Sequence, residues 1–141
     1  MLGSETKVDD ILNGINQSLL RNINYKFQLY GSEALIKKKI EKYKRLIQVS
    51  EIIDCDSFIS MDDKPADILR TKENSSMYRA IKAVKDNHSD ALLSFGNTGA
   101  LMSLSTLHIK TLEFIRRPAI ASIWPNMIGE SIVLDLGANT K

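Results

Sequence analysis

The 141-residue sequence has one cysteine, two histidines and three prolines, and what it lacks excludes several classes of protein. The single Cys55 cannot form an internal disulfide, and its apolar and acidic neighbours favour a buried, inert thiol over a nucleophile. No apolar run approaches the roughly 18–20 residues that cross a bilayer. The polar start of the chain does not look like a secretory signal, so we expect a cytoplasmic protein.

Motifs that bind metals or nucleotides are also missing. The two histidines and the acidic residues form no metal-ligand spacing and no Ser-His-Asp order. A P-loop needs lysine and serine after its last glycine, but Ala100 and Leu101 follow Gly99. The third glycine of a dinucleotide fingerprint is absent as well. The net charge of +2 is too small to indicate nucleic-acid binding.

What is present is an alternation of helical and strand patterns, typical of a layered α/β domain. Predicted helices cover 8–19, with a capping box at Thr6 and Asp9, 32–47, 66–69, a segment starting at Ser75 or Ser76, and a segment from the glycine loop to about Ile109. Predicted strands cover 26–30, the region around 52–53, 91–95, 119–124 and 131–136. The last two are too close for a helical crossover and predict an antiparallel hairpin. We expect a three-layer αβα domain with one mixed, mostly parallel sheet.

The second helix predicts a basic outer face. Its inner face combines Leu35 or Ile36 with Ile40, Tyr43 and Ile47. Its outer face carries six cations: Lys37, Lys38, Lys39, Lys42, Lys44 and Arg45. A solvated face is one interpretation, and a docking surface for an acidic partner is the other.

Both ends of the sequence have the pattern of an interrupted domain. Residues 1–5 resemble a loop that follows a strand, and residues 134–141 resemble a strand running into a loop. We therefore expect an incomplete domain that spans residues 1–141 of a larger protein.

The most informative stretch is 90–102, where an apolar run breaks into Gly96-Asn97-Thr98-Gly99 before helical spacing resumes. Free N–H groups at a helix start and the helix dipole attract an anion, and glycines let a ligand approach the backbone. The pattern therefore predicts a site for phosphate or a similar group. The alternative is an ordinary tight turn with a capped helix.

Other polar loops follow predicted strands, where ligands collect in open α/β sheets. Asp62 and Asp63 either belong to such a site or cap the short helix at Pro65. Asp135 lies within an apolar stretch, and a buried carboxylate needs a partner, which favours a role in the site. Neither histidine is predicted to be catalytic: His88 lies in a loop, where we expect it to be exposed, and His108 lies near a helix end, where we expect a structural role.

Four stretches together resemble the bacterial phosphate acyltransferases of phospholipid synthesis, the PlsX family. They are Met61-Asp-Asp-Lys-Pro65, Ser75-Ser-Met77, Ser94-Phe-Gly-Asn-Thr-Gly-Ala-Leu-Met102 and Leu134-Asp-Leu-Gly-Ala-Asn139. Arg117-Pro-Ala119 fits too. Their order and spacing match across nearly the whole chain, as its N-terminal portion.

The resemblance implies transfer of a fatty acyl group from acyl carrier protein to inorganic phosphate, giving acyl phosphate. It implies a fold like the isocitrate and isopropylmalate dehydrogenases, no cofactor, a homodimer, and peripheral contact with the membrane where an acyltransferase consumes the product. It assigns no general base. The residues it implies in the phosphate site are Gly96, Asn97, Thr98 and Gly99, with Asp135 and Asn139 shaping the cleft and Asp62 and Ser76 nearby.

The sequence also departs from the family pattern. Ser4-Glu5 replaces the usual Gly-Asp, and Phe95 stands where a small residue is common. Because family members are more than twice this length, we expect the 141-residue chain itself to be inactive. The competing hypotheses are a non-catalytic anion-binding or interaction domain on the same scaffold, and a dehydrogenase-like relative that binds adenine-containing ligands.

Overall fold

The computed structural model describes residues 6–21, 24–63, 68 and 74–135. The chain divides into two compact units, Met1–Ile109 and Lys110–Lys141. The first unit contains α1 (Val8–Leu19), β1 (Phe27–Gly31), α2 (Glu33–Ile40), α3 (Lys44–Gln48), β2 (Ser50–Asp54), α4 (Ser76–Lys85) and α5 (Thr98–His108). The second contains β3 (Ala121–Asn126) and β4 (Gly129–Leu134). The mixed α/β class predicted from the sequence is confirmed.

β1 and β2 form a parallel pair, joined through α2 and α3. Their register runs from Phe27 opposite Ser50 to Gly31 opposite Asp54. A parallel pair needs such a crossover because a tight hairpin turn reverses the chain and can join only antiparallel strands. The pair packs on the first apolar cluster, whose buried members are Leu12, Leu19, Leu29, Ile36, Ile40 and Leu46.

The start of α1 differs from the prediction. The residue before the helix is Lys7, whose side chain accepts no capping hydrogen bond, so the predicted box at Thr6 and Asp9 is wrong. The helix begins at Val8, one position too late for a Thr6 cap. Burial of Ile11, Leu12 and Leu19 on its apolar stripe holds the helix instead.

The predicted helix over 32–47 is two helices. α2 begins after Ser32, whose hydroxyl accepts from the Leu35 amide at 3.4 Å, as the serine there predicts. A turn after Ile40 then breaks the helix, so the expected inward position of Ile47 is wrong. Leu46 is buried instead, while Ile47 is 44% exposed, because the turn resets the helical phase.

α4 has well-defined ends at both termini. Ser75 caps its start by accepting from the Tyr78 amide at 3.3 Å, which confirms the predicted cap. At its end, Asn87 has a φ of 58°. The Asn87 and His88 amides donate back to Val84 and Ala83 at 3.1 and 2.8 Å, which is the bonding of a Schellman motif.

A second apolar cluster joins α4 and α5 to the segment that follows β2. Its buried members are Ile59, Ile68, Met77, Ile81, Ala100 and Leu104. Because Met77 and Ala100 lie in the first turns of their helices, this cluster fixes where both helices begin.

Two predictions about the sheet are wrong. Residues 91–95 form no strand, and the described β-strands make two separate two-stranded sheets rather than one mixed sheet. The apolar run at 91–95 reflected partial burial: Leu92 packs on the second cluster, but Leu93 is 74% exposed. An apolar run indicates burial, whereas a strand also needs a backbone partner.

The second unit contains the predicted hairpin. β3 and β4 pair antiparallel, with Ala121 opposite Leu134 and Asn126 opposite Gly129. The turn is Met127–Ile128, so β4 starts and ends two residues earlier than predicted. The predicted short helix over 66–69 lies outside the described residues except for Ile68.

Candidate functional site

Asn97 links the start of α5 to the loop after β2. Its Oδ1 accepts from the Ala100 amide at 2.9 Å, so it caps the helix. Its Nδ2 lies 3.1 Å from the carbonyl oxygens of Ser60 and Met61 and 3.2 Å from that of Asp63. The residue is 9% exposed, and both ends of its amide are therefore used.

The same loop also contacts the start of α4. Ser57 and Ser75 form a parallel bridge, and the Ser76 amide donates to the Ser57 carbonyl at 3.1 Å. Ser75 is fully buried and Ser76 is 5% exposed. Residues 57–63 therefore join the N-terminal ends of two helices, where both helix dipoles place positive potential.

The amides of the glycine loop divide into two groups. The Gly96 amide donates to the Ser94 hydroxyl at 3.3 Å, and the Ala100 and Leu101 amides donate to Asn97. By contrast, the structure gives the Thr98 and Gly99 amides no hydrogen-bond partner among the residues it describes, and both residues are exposed. The predicted anion site is thus narrower than expected, since the protein itself already uses the amides of Gly96, Ala100 and Leu101.

The loop that carries Asp62 is a compact turn. The Ser60 amide donates to the Asp63 carboxylate at 2.8 Å, and the Asp62 amide lies 3.4 Å from the Ser60 hydroxyl. Asp62 itself is exposed. Asp63 therefore organises the turn that Asn97 holds, while the alternative role of these residues as a cap at Pro65 lies outside the described residues.

Asp135 and Asn139 belong to the second unit. Asp135 is exposed rather than buried in a strand, which corrects the prediction. It follows β4 with a φ of 59°, and its amide donates to the Ile120 carbonyl at 2.7 Å. The positive φ turns the backbone out of the strand direction. Asn139 lies outside the described residues.

Cys55, His88 and His108, for which the sequence predicts no catalytic role, lie in structural or exposed positions. Cys55 is 3% exposed, and burial raises the pKa of its thiol above its usual range, although Arg79 Nη1 lies 3.7 Å from the sulfur and opposes that shift. The predicted burial of this thiol is confirmed. His108 contacts the edge of Tyr78 with ring centroids 4.8 Å apart, which is a packing role, and His88 is exposed.

A family model described as "Fatty acid synthesis protein" matches residues 1–141. The chain belongs to the fatty acid synthesis protein family. The match spans all four stretches that carry the resemblance described above, and that resemblance is confirmed.

Curated relatives of this chain carry the name phosphate acyltransferase. The one from Xanthobacter autotrophicus is 43% identical over 139 residues, 98% of this chain and 39% of that protein. Those from Rhodopseudomonas palustris and Mesorhizobium japonicum are 44% and 45% identical, over 98% and 84% of this chain and 40% and 33% of those proteins. The chain thus spans about two-fifths of the length of the first two relatives and a third of the last.

No helix in the described ranges of the chain combines the length and the apolar character needed to span a bilayer. The family assignment adds no residue role to the geometry. It does identify the kind of protein in which the loop at 96–99 occurs.

Sequence reasoning missed the residues that hold the site together. Ser57 and Ser60 act through their backbone carbonyls, and such contacts leave no side-chain pattern; Asp63 was singled out with Asp62, but not for its bond to the Ser60 amide. One signal was available: Asn97 precedes a helix, and asparagine is a preferred cap there. That signal explains Oδ1 but not the three acceptors of Nδ2.

Proposed function

We propose that the protein transfers a fatty acyl group from acyl carrier protein to inorganic phosphate, forming acyl phosphate for phospholipid synthesis. Family membership and the name phosphate acyltransferase of its relatives support this proposal. The observation in the structure that carries it is the arrangement around Asn97, which leaves two adjacent amides of exposed residues at the start of α5 without a hydrogen-bond partner among the described residues.

The Thr98 and Gly99 amides suit a phosphate oxygen for two physical reasons. Unpaired N–H groups in the first turn of a helix donate to anions, and the dipole of α5 adds positive potential at the same end. The bonds from Asn97 to Ser60, Met61 and Asp63 keep that end rigid, so little ordering remains when an anion binds.

In the proposed reaction, a phosphate oxygen attacks the thioester carbonyl carbon. A C–O bond forms, the C–S bond breaks, and the carrier leaves as a thiolate that takes a proton from solvent. Because phosphate is already anionic, orientation against the thioester supplies the catalysis in this scheme, and no general base is assigned. In this proposal Thr98 and Gly99 hold the phosphate, Gly96 and Asn97 position the loop that carries them, and Asp62 and Ser76 lie nearby.

The remaining expectations from the resemblance are part of the same proposal. They are a three-layer αβα fold of the isocitrate and isopropylmalate dehydrogenase type, a homodimer, action without a cofactor, and a cytoplasmic location with peripheral membrane contact. The parallel pair β1–β2, with helices in its crossover, supports the first of these.

The phosphate site is tested by titrating inorganic phosphate into isotope-labelled chain and following the backbone amides by NMR. We expect phosphate to cause the largest chemical-shift changes at the Thr98 and Gly99 amides, and we expect acyl phosphate to cause saturable shift changes at the same amides. Adenosine, which has no phosphate, is the control for a dehydrogenase-like binder and is expected to shift neither.

A substitution makes the test sharper. Thr98→Glu places a carboxylate in the first turn of α5, where it suits the helix dipole and competes with phosphate. Ala34→Glu adds the same charge to the first turn of α2 and is the matched control. Loss of phosphate shifts in Thr98→Glu but not in Ala34→Glu supports the site. Unchanged shifts in both variants contradict it.

A further inference from the structure

The positive charge of this chain is concentrated in one segment of the first unit, residues 26–45. Residues 26–45 contain seven Lys or Arg and two Asp or Glu, a net charge of +5, whereas the whole chain has +2. The other 121 residues therefore carry −3. Most of these cations lie on α2, α3 and the turn between them, and both helices contact α1.

The structure separates cations that hold the fold from cations that are available. Lys39 and Lys42 bind Asp9 of α1 at 2.6 and 3.2 Å, and Lys37 pairs with Glu33 at 2.6 Å. Within the described residues, Lys38, Lys44 and Arg45 form no ion pair, and all three are exposed. We call Lys38, Lys44 and Arg45 the free basic set.

A cleft continues this surface. It has a volume of about 230 Å³, and Lys26 and Arg45 line it together with Asn24 and Tyr25. Two cations beside amide and phenol groups provide donors for a carboxylate from outside. Tyr25 is 51% exposed and adds apolar contact area at the rim.

We infer that the free basic set and the adjoining cleft are the docking surface for an acidic protein, the carrier that delivers the acyl group. This inference rests on the proposed function for the identity of the partner. Complementary charge on two proteins steers their encounter and fixes their orientation. A carrier protein that docks on a surface patch does not need a pocket large enough to enclose it.

The charge distribution favours a compact protein over a membrane or a nucleic acid. An extended polyanion reaches well beyond one patch and meets the rest of the first unit, which carries −4, with eight Lys or Arg and twelve Asp or Glu outside residues 26–45. A small acidic protein contacts the patch alone, because exposed charges beyond about 8 Å are largely screened at physiological salt. The acidic residues Glu33 and Glu41 among the lysines also suit a partner with a mixed surface.

The test measures binding of acyl carrier protein to the 141-residue chain by NMR titration at about 50 mM salt, where such attraction is strong. The variant Lys38→Glu/Lys44→Glu removes two available cations. The matched control Lys82→Glu/Lys85→Glu makes the same charge change at exposed positions in the last turn of α4. Thermal melts verify that both variants fold.

We expect Lys38→Glu/Lys44→Glu to weaken carrier binding at least about tenfold and Lys82→Glu/Lys85→Glu to weaken it less than about twofold, because the effect depends on charges at the docking surface and not on the net charge of the chain. Equal weakening by both pairs, no weakening by the first pair, or no binding by the wild type overturns the inference. So does loss of binding to phosphatidylglycerol vesicles in the first pair when the carrier affinity is unchanged.

A phosphate titration on the same samples separates the two proposals. If Thr98 and Gly99 respond to phosphate in Lys38→Glu/Lys44→Glu while carrier binding is lost, both proposals are supported. If phosphate binds but the wild type ignores the carrier, only the docking surface is wrong. If the carrier binds through the basic set but phosphate shifts no amide, only the phosphate site is wrong.

Discussion

Asn97 offers a substitution series that separates its two roles. Asn97→Ala removes the cap of α5 and the donor to the loop, Asn97→Ser keeps an oxygen for the cap alone, and Asn97→Asp keeps the cap but replaces the donor by an acceptor. Their effects on the free energy of unfolding follow from the contacts of one side chain.

Loss of a helix cap lowers the free energy of unfolding by about 1 kcal/mol. The Nδ2 group has two hydrogens for three acceptors, and Met61 is exposed, so water replaces part of this contact. We therefore assign the donor about 1 kcal/mol, within the ordinary range for a hydrogen bond. Asn97→Ala is expected to lose about 2 kcal/mol and Asn97→Ser about 1 kcal/mol.

Asn97→Asp adds a pH dependence. A carboxylate oxygen at the Nδ2 position faces three carbonyl oxygens, which disfavours the charged form and raises the pKa of the new carboxyl. A raised pKa in the folded state means that the variant is least stable at neutral pH and gains stability as the pH falls through that pKa. The wild type has no titratable group at position 97, so the difference in the free energy of unfolding between wild type and Asn97→Asp narrows in acid.

The assay is urea unfolding followed by circular dichroism. With a slope of about 2 kcal/mol per molar urea, Asn97→Ala shifts the midpoint by about 1 M. Ser32→Ala is the matched control, because Ser32 caps α2 and makes no bond to the loop at 60–63; it is expected to lose about 1 kcal/mol. Equal midpoints for Asn97→Ala and Asn97→Ser would refute the role of Nδ2 in holding the loop.

Two further predictions concern elements outside the site. At Asn87, whose φ is 58°, substitution by alanine is expected to lower the free energy of unfolding by about 1 kcal/mol, while glycine leaves it nearly unchanged, as urea midpoints will show. For Asp9, hydrogen bonds from Lys39 and then Lys42 lower the pKa of the carboxyl. A carboxyl whose pKa is lower in the folded state than in the unfolded state stabilises the fold at pH values above the unfolded-state pKa, and this stabilisation is lost in acid. The difference in melting temperature between wild type and Asp9→Asn should therefore shrink below about pH 4. A difference that stays constant from pH 7 to pH 3 contradicts the role of this ion pair.

Local signals in the sequence determined where three of the described helices begin. Ser32, Ser75 and Asn97 each cap a helix as their residue types predict, because a short side-chain oxygen reaches an amide within its own turn. The antiparallel hairpin followed equally from a short connection, which leaves no room for a crossover. These features depend on residues at most a few positions apart.

Features that depend on distant residues were not predicted. The break between α2 and α3 places Leu46 in contact with the first cluster, and the periodicity of the helix alone favoured Ile47. Residues 91–95 have the composition of a strand but no strand partner in the part of the chain that the structure describes, and composition carries no information about partners.

The sequence by itself determined the α/β class, the burial of Cys55 and the position of the glycine loop before α5, since each follows from local pattern or composition. Only the tertiary structure decided which amides of that loop and which cations on α2 and α3 lack a partner among the described residues. Hydrogen bonds and ion pairs join residues 30 or more positions apart, such as Asn97 to Ser60 and Lys39 to Asp9. Their formation depends on how the helices pack, which no local pattern specifies.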